Sequence, residues 1–320
     1  MLPEPKCLIT GGAGFIGSHL ADTLMLHRCK VAIIDNLSSG SDENIKRWLH
    51  GPNVTFQEVD ILNQQEMVRT LDGQKIVFHM AANPEVRVGT TSPRIHFQQN
   101  IQGTYNILEA IRKTGTVETL VFTSTSTIYG EAAKIPTPED YAPLRPISMY
   151  GASKLACEAL ISSYSHNYGF KAIIYRLANV VGPRSRHGVV YDFINKLKQD
   201  PKRLEILGDG TQTKSYLHIT DCIDAILLGL KKASERVEIF NIGSEDQISV
   251  KEIADIVTQQ MSLNDVEYHY TGGVDGGRGW KGDVKNMLLD TSRLKAAGWR
   301  PRLNSCQAIE ETAAKMLRGN

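Results

Sequence analysis

Tyr150 and Lys154 stand four residues apart in Tyr150-Gly151-Ala152-Ser153-Lys154, the spacing that stacks two side chains on one face of a helix. A phenol with a reference pKa of about 10 is a weak base at neutral pH. An ammonium group held beside it favours the phenolate, so Tyr150 could exchange a proton with a sugar or alcohol hydroxyl. Upstream, Phe122-Thr123-Ser124-Thr125-Ser126-Thr127-Ile128-Tyr129-Gly130 ends an apolar run in a cluster of hydroxyls able to share that proton. A Tyr–Lys pair at this spacing is a common coincidence on helices. Its weight here comes from a second constellation that precedes it. Gly11, Gly14 and Gly17 form G-x-x-G-x-x-G directly after a short apolar run. Such a turn lets the backbone approach a diphosphate without a Cβ in the way and seats it at a helix N-terminus, where N–H groups and the dipole favour negative charge. Asp35 closes the next apolar run. A carboxylate there accepts hydrogen bonds from a ribose 2′-hydroxyl and repels a 2′-phosphate, which points to NAD rather than NADP. A positive nicotinamide ring would further favour the Tyr150 phenolate.

The elements that must hold these residues alternate. Strands are predicted at Cys7–Thr10, Val31–Asp35, Val54–Val59, Ile76–Met80, Leu120–Ser124 and Ala172–Leu177. Helices are predicted at Phe15–His27, Pro93–Lys113 and Met149–Asn167. Repeated strand–helix–strand units require crossovers and hence a mostly parallel sheet covered on both faces. After about residue 178 the pattern loosens: helices at Val189–Gln199, Asp221–Lys232 and Val250–Met261, strands at Arg203–Leu207 and Val237–Ile242, and an irregular Gly-rich stretch, Thr271–Asp283. The expected fold is α/β, a Rossmann-type doubly wound parallel sheet with a smaller C-terminal substrate-binding region. Residues 1–178, with returning segments at about 214–245, form the dinucleotide part, and 179–320 mainly the substrate part.

Composition narrows the function. The 36 Lys and Arg balance 35 Asp and Glu to a net charge of +1, without the basic surplus that holds nucleic acid. No apolar run approaches the ~18 residues of a membrane span, and Met1, Pro3, Glu4 and Pro5 form no signal-peptide pattern. Cys7, Cys29, Cys157, Cys222 and Cys306 are odd in number, scattered and never in C-x-x-C. They read as free thiols in a reducing cytoplasm, with no metal site.

The chain resembles the extended short-chain dehydrogenase/reductase superfamily and, within it, nucleotide-sugar epimerases of the UDP-glucose 4-epimerase type. The resemblance rests on Thr10 to His19, Asp35 to Gly40, Asp60-Ile61, Asn100, Ser124-Thr125, Tyr150 to Lys154, Tyr175 to Asn179, Gly208 to Gln212, Tyr216 to Asp221 and Asn241-Ile242-Gly243. It implies that Gly11, Gly14, Phe15, Ile16 and Gly17 hold the NAD diphosphate, and Asp35 and Asn36 the adenosine ribose. Asp60 and Ile61 frame the adenine. Ala81, Ala82 and Asn100 lie along the cofactor, and Lys154 grips the nicotinamide ribose. Tyr150, Lys154 and Thr125 are implied as catalytic. Thr125, Ser126, Tyr150, Asn179 and Lys214 face a UDP-sugar, with Lys214 where a phosphate-binding Arg is usual. Similar dehydratases and decarboxylases carry carboxylates just after the catalytic hydroxyl. Thr125-Ser126-Thr127 carries none, which leaves reversible oxidation at C4 of the sugar.

The chain departs from the family pattern in places. Pro84 replaces a frequent Lys, and Trp280 stands where a diphosphate-binding Arg is usual. Arg278 and Lys281 are expected to substitute, with the 271–283 loop folding over the diphosphate. Met287 falls at a position resembling a filter on sugar bulk, and its flexibility leaves an acetamido sugar open. Arg184 and Arg186 could meet a uronate, although a solvated loop is the plainer reading. His19 and His218 read as packing or capping residues. Apolar residues on more than one face of the two long helices, such as Ile101, Ile107, Leu108 and Ile111, point with the resemblance to a homodimer through a four-helix bundle. The expected substrate is UDP-glucose or UDP-galactose. UDP-N-acetylglucosamine, UDP-glucuronate, a related dehydratase or reductase and a non-catalytic NAD-binding scaffold stand as alternatives.

Overall fold

The computed structural model describes residues 6–49 and 51–319; the first residues, read above for a leader, lie outside it. Six strands come from the first half: β1 (Lys6–Thr10), β2 (Lys30–Asp35), β3 (Val54–Glu58), β4 (Ile76–His79), β5 (Thr119–Thr125) and β6 (Lys171–Leu177). A seventh, Val237–Ile242, returns from the C-terminal half and pairs with β6 in register from Val237↔Ala172 to Ile242↔Leu177. Across the sheet the order is Val237–Ile242, β6, β5, β4, β1, β2, β3, and every pairing is parallel. The order reverses between β1 and β4, so the carboxyl ends of these strands open a crevice where ligands bind in doubly wound folds.

Both faces are covered. Helices Phe15–Leu26 and Ile219–Lys232 bury Leu20, Leu24, Ile223 and Ile226 on one face, together with Ile9, Ile33 and Phe78. On the other face Gln64–Leu71, Gly103–Thr114 and Met149–Tyr168 bury Met67, Leu71, Ile107, Leu108 and Ile161 against Leu8, Val77 and Phe122. Strands buried on both sides read as continuous apolar runs, which is why they are visible in the sequence. A separate core, with Phe193, Ile194, Leu204, Ile253, Val257, Ile309 and Ala313, ties Val189–Gln199, Arg203–Ile206, Val250–Gln260 and Ser305–Arg318 into the smaller region.

The expected helix over residues 93–113 is three pieces: Pro93–His96, a π-turn at Phe97–Gln102, and Gly103–Thr114. Ile107, Leu108 and Ile111 are buried in this chain's own core and present no outer face. The exposed large apolar residues of these helices are Phe97, Tyr105, Met149 and Tyr168.

Candidate active site

One cavity of about 940 Å³ runs along the carboxyl ends of the strands, between the sheet and the smaller region. It sits near the upper end of the ~300–1,000 Å³ range of ligand pockets. At one end lies the glycine turn. Gly11 has φ +66°, and a Cβ on it would stand 2.7 Å from Cα of Ala81. A Cβ on Gly17 would meet the Gly11 carbonyl at 2.2 Å. The turn is therefore closed to side chains, and the helix after it lies hard against the strand. No side chain caps that helix at Gly14, so its first N–H groups face the cavity for an anion.

The adenosine end is equally preset. The Asp35 carboxylate accepts from the backbone N–H of Ala13 at 3.0 Å and of Leu37 at 2.9 Å. Burial pushes its pKa up while these bonds pull it down. Each oxygen keeps acceptor capacity for a ribose hydroxyl. Asn36 donates to Asp60 at 3.0 Å, and Asp60 also accepts from Leu62 N–H at 2.8 Å. Asp60, Ile61, Ala81 and Ala82 all line the cavity. These features fit a bound dinucleotide.

The Tyr150–Lys154 pair follows from the start of a helix. Ser148 caps Met149–Tyr168 by accepting from Gly151 N–H at 3.0 Å, which places Tyr150 and Lys154 in its first turns. A Cβ on Gly151 would lie 2.7 Å from the Thr127 carbonyl. The helix thus approaches the hydroxyl turn as closely as glycine permits and sets the Tyr150 ring beside Thr125. Thr125 ends β5, accepts from Thr127 N–H at 3.2 Å and shares a 3.2 Å hydroxyl contact with Thr127. Lys154 is buried. Its Nζ donates to the Thr123 carbonyl at 2.8 Å and lies 4.6 Å from the Phe122 ring centre. Burial lowers its pKa to about 8. Burial raises the Tyr150 phenol to about 12, partly offset by a hydrogen bond with Thr125. The site as folded thus holds Tyr150 as a neutral phenol bonded to Thr125 and Lys154 as a buried ammonium at the end of β5.

Asn100 does not line the cavity; it positions its walls. From within the π-turn its Nδ2 donates to Ser153 Oγ at 2.9 Å and its Oδ1 accepts from Asn83 N–H at 2.8 Å. Ser153 in turn donates to the Tyr150 carbonyl at 2.7 Å. Turns of this kind recur at functional sites.

The smaller region supplies the other wall. Asn179, Lys214 and Met287 line the cavity, with Met287 paired to Lys214 between two short strands. Lys214 forms a 2.5 Å ion pair with buried Asp283. Of the 271–283 loop, Trp280, Gly282 and Asp283 reach the cavity. Arg278 and Lys281 do not, contrary to the expectation above: Arg278 is drawn outward to Glu131 at 2.8 Å, and Lys281 is exposed. Arg184 is held by Asp22 at 2.8 Å and Ser18 at 3.1 Å, whereas Arg186 is exposed at the cavity edge. His218 caps Ile219–Lys232 and His19 bonds to the Phe15 carbonyl at 2.9 Å, the structural roles expected of both. Among the described residues no cluster is suited to a metal ion, and no cysteine is in a disulfide.

Four cavity residues escaped the sequence reading as individual sites. Ser124 Oγ, Gln212 Oε1 and Trp280 Nε1 are buried without a hydrogen-bond partner. Arg87, clamped by Glu85 at 2.9 and 3.1 Å, stands at the cavity over Trp280. Behind the site, Arg176 pairs with buried Glu158 at 2.8 Å and donates to Tyr129, which donates to Asn241 at 2.8 Å. Arg176, from the Tyr175–Asn179 signature, is the centre of this network.

Comparison with known proteins agrees with this architecture. The sequence profile of the NAD dependent epimerase/dehydratase family matches residues 7–243. A putative UDP-glucose 4-epimerase of Methanocaldococcus jannaschii is 33% identical over 98% of this chain and 99% of its own. A crystal structure of a UDP-galactose 4-epimerase superposes with a TM-score of 0.87 at 40% identity, covering 98% of this chain and 99% of that one. A Bacillus cereus UDP-glucuronic acid 4-epimerase, solved with a fluorinated UDP-glucuronic acid and NAD, superposes at 0.88 with 28% identity over 98% and 100%.

Proposed function

The chain belongs to the NAD-dependent epimerase/dehydratase family, and from that premise we propose that it is a nucleotide-sugar 4-epimerase interconverting UDP-glucose and UDP-galactose. The observation that carries this reading is the hydroxyl turn itself. Tyr150 and Lys154 face Thr125-Ser126-Thr127, a set that can move one hydroxyl proton but has no carboxylate on that turn to drive elimination.

NAD, when bound, accepts and returns the hydride of the sugar C4. Everything else falls to the chain. Gly11, Gly14, Phe15, Ile16 and Gly17 hold the diphosphate; Asp35 and Asn36 the ribose; Asp60, Ile61, Ala81 and Ala82 the rest of the adenosine side and the cavity floor. Asn100 acts through Asn83 and Ser153. Lys154, with two N–H bonds beyond the one to Thr123, holds the nicotinamide ribose and supplies positive charge to Tyr150. Tyr150 takes the 4-hydroxyl proton, which Thr125 shares, and gives it back after the 4-keto sugar has turned over. Ser126, Asn179, Lys214 and Met287 orient the sugar nucleotide. We assign the dinucleotide to residues 1–178 with the returning segments and the sugar nucleotide mainly to 179–320.

We further propose a homodimer through a four-helix bundle, built on exposed Phe97, Tyr105 and Tyr168 rather than on Ile107, Leu108 and Ile111. A solution mass of one protomer would refute it. No described helix is long and apolar enough to cross a membrane, and cysteines without disulfides suit a reducing cytoplasm.

A second reading has one observation behind it: Arg186 lines the cavity, and no ion pair holds it among the described residues, so a uronate carboxylate would find a cation there. Incubation with UDP-glucose, UDP-N-acetylglucosamine and UDP-glucuronate separately, without added NAD, decides between them. The proposal predicts UDP-galactose from UDP-glucose and no accumulated NADH. Conversion of UDP-glucuronate alone would favour the second reading. Conversion of none would favour a non-catalytic NAD-binding scaffold.

A further inference from the structure

His96 is fully buried, and the reaction outlined above leaves it without a task. It immediately precedes the π-turn that carries Asn100, and its ring centre lies 5.7 Å from that of Tyr150, with the two planes at 60°. A Cβ on Gly89 would stand 3.0 Å from Cδ2 and 3.2 Å from Nε2 of His96, and 2.9 Å from Cβ of Met149. The imidazole is thus wedged between the short helix Val88–Thr91 and the start of Met149–Tyr168, and a side chain at 89 would displace it. Its Nδ1 lies 3.4 Å from Asn100 Nδ2. The Asn100 amide has one orientation, because its Oδ1 accepts from the backbone N–H of Asn83 at 2.8 Å. Nδ2 therefore has two N–H groups to place. One goes at 2.9 Å to Ser153 Oγ, whose own proton goes to the Tyr150 carbonyl at 2.7 Å. The other meets His96 Nδ1, which must then be an acceptor, so that the ring's proton sits on Nε2.

We propose that His96 is a positioning residue for Tyr150: with Nδ1 as acceptor it closes the donor side of the Asn100 amide and so fixes both the Asn83 and the Ser153 ends of the bonds that frame the phenol. The inference rests on the nucleotide-sugar reading above and adds a residue to its proton-transfer machinery. Its consequence is a dependence on pH. A proton on Nδ1 would set a donor against the Asn100 donor, and the amide would have to loosen its hold on Asn83, on Ser153 or on both. Burial and the Lys154 ammonium oppose that proton, whereas the backbone carbonyl and carboxylate of Glu85, from the loop after β4, favour it. The Tyr150 phenol, the other titratable group against the ring, stays neutral on the acid side. Burial is the largest of these effects and holds the ring below its usual 6.5, so His96 is neutral at pH 7 and above and acquires its proton only in acid.

Two measurements on the NAD-loaded protein test this. Nitrogen-15 NMR of histidine-labelled protein at pH 8, with His96 identified by its absence in a variant, is expected to show the Nε2–H tautomer. Steady-state kinetics with the sugar nucleotide that is converted give the second. Wild-type kcat is expected to fall at least about twofold from pH 8 to pH 5. His96→Phe, which keeps a ring and loses the acceptor, is expected to lower kcat at pH 8 at least about fivefold with KM within about twofold, and to lack the acid fall. His96→Asn, whose Oδ1 returns an acceptor near the Nδ1 position and takes up no proton in this range, is expected to recover most of the lost kcat and also to lack the acid fall. An Nδ1–H tautomer, a His96→Phe enzyme with wild-type kcat, or an undiminished acid fall in His96→Asn overturns the proposal. If His96→Phe does not fold, the tautomer and the His96→Asn profile still decide. A wild type that converts no sugar nucleotide overturns the nucleotide-sugar reading and the proposal with it; turnover accompanied by the Nδ1–H tautomer overturns the proposal alone.

Discussion

Lys154 Nζ donates to the carbonyl of Thr123 at 2.8 Å, anchoring the catalytic helix to the end of β5 two residues before Thr125. The ammonium is thereby held at the end of the strand instead of in solvent. Lys154→Met should lower kcat at least about 100-fold, within the span attributed to general acid–base groups. Lys154→Arg should not rescue it, because a planar guanidinium does not reproduce a compact point charge in a buried slot. Steady-state rates with the converted sugar nucleotide check both variants. A Lys154→Met enzyme within a few-fold of wild type would contradict the role.

Asp35 bonds two backbone N–H groups and faces the cavity, and the proposed function gives its charge two tasks, shaping the turn and selecting the cofactor. Asp35→Asn turns one acceptor into a donor toward those N–H groups and removes the repulsion of a 2′-phosphate. NAD retained through purification should fall at least about tenfold, and discrimination against NADP should shrink. Cofactor released on denaturation and quantified by absorbance gives the answer.

Glu158 and Arg176 form an ion pair whose side chains are 6% and 4% exposed. Removing one partner leaves the other charge buried and unpaired. Glu158→Ala should therefore cost about 3–5 kcal/mol of folding stability. Denaturant unfolding of wild type and variant measures the difference; a loss below about 1 kcal/mol would mean that water replaces the carboxylate.

His79 and His19 contribute to the acid side of the stability profile. His79 is fully enclosed between Thr10 and Thr104, at 2.8 and 2.9 Å, and burial holds its pKa near about 3. His19 is held near about 4, again chiefly by burial. Unfolded histidines take up a proton near 6.5. Between 6.5 and these lower values the unfolded chain binds more protons, so stability falls as pH falls, by at most about 1.4 kcal/mol per pH unit for each histidine. His19→Gln should flatten the decline in Tm between pH 6.5 and 5 relative to wild type. An unchanged slope would contradict the assignment.

The first half of the fold was legible because its strands are buried on both faces and its turns carry chemistry. The predicted strand Cys7–Thr10 differs from β1 by one residue, and Val237–Ile242 was read with the observed bounds. Short strands such as Thr213–Lys214 and Asn286–Met287 carry no periodicity at all, and they are what bring Lys214 and Met287 together. The C-terminal helix Ser305–Arg318 did have a readable signal, the capping box of Asn304 and Gln307, which the loosened pattern around it obscured. Arg278 and Lys281 were assigned by charge and neighbourhood, and charge alone does not say which way a loop turns: Glu131, far away in sequence, decides it for Arg278.

In the proposed reaction the C4 hydride leaves the sugar and returns to the same molecule while Tyr150 holds the matching proton. UDP-glucose carrying deuterium at C4, incubated with the purified protein without added NAD and followed by NMR, tests this most directly. The expected product is UDP-galactose that retains the deuterium at C4, with no conversion by Tyr150→Phe. Deuterium lost to water, or a fully active Tyr150→Phe, would contradict it.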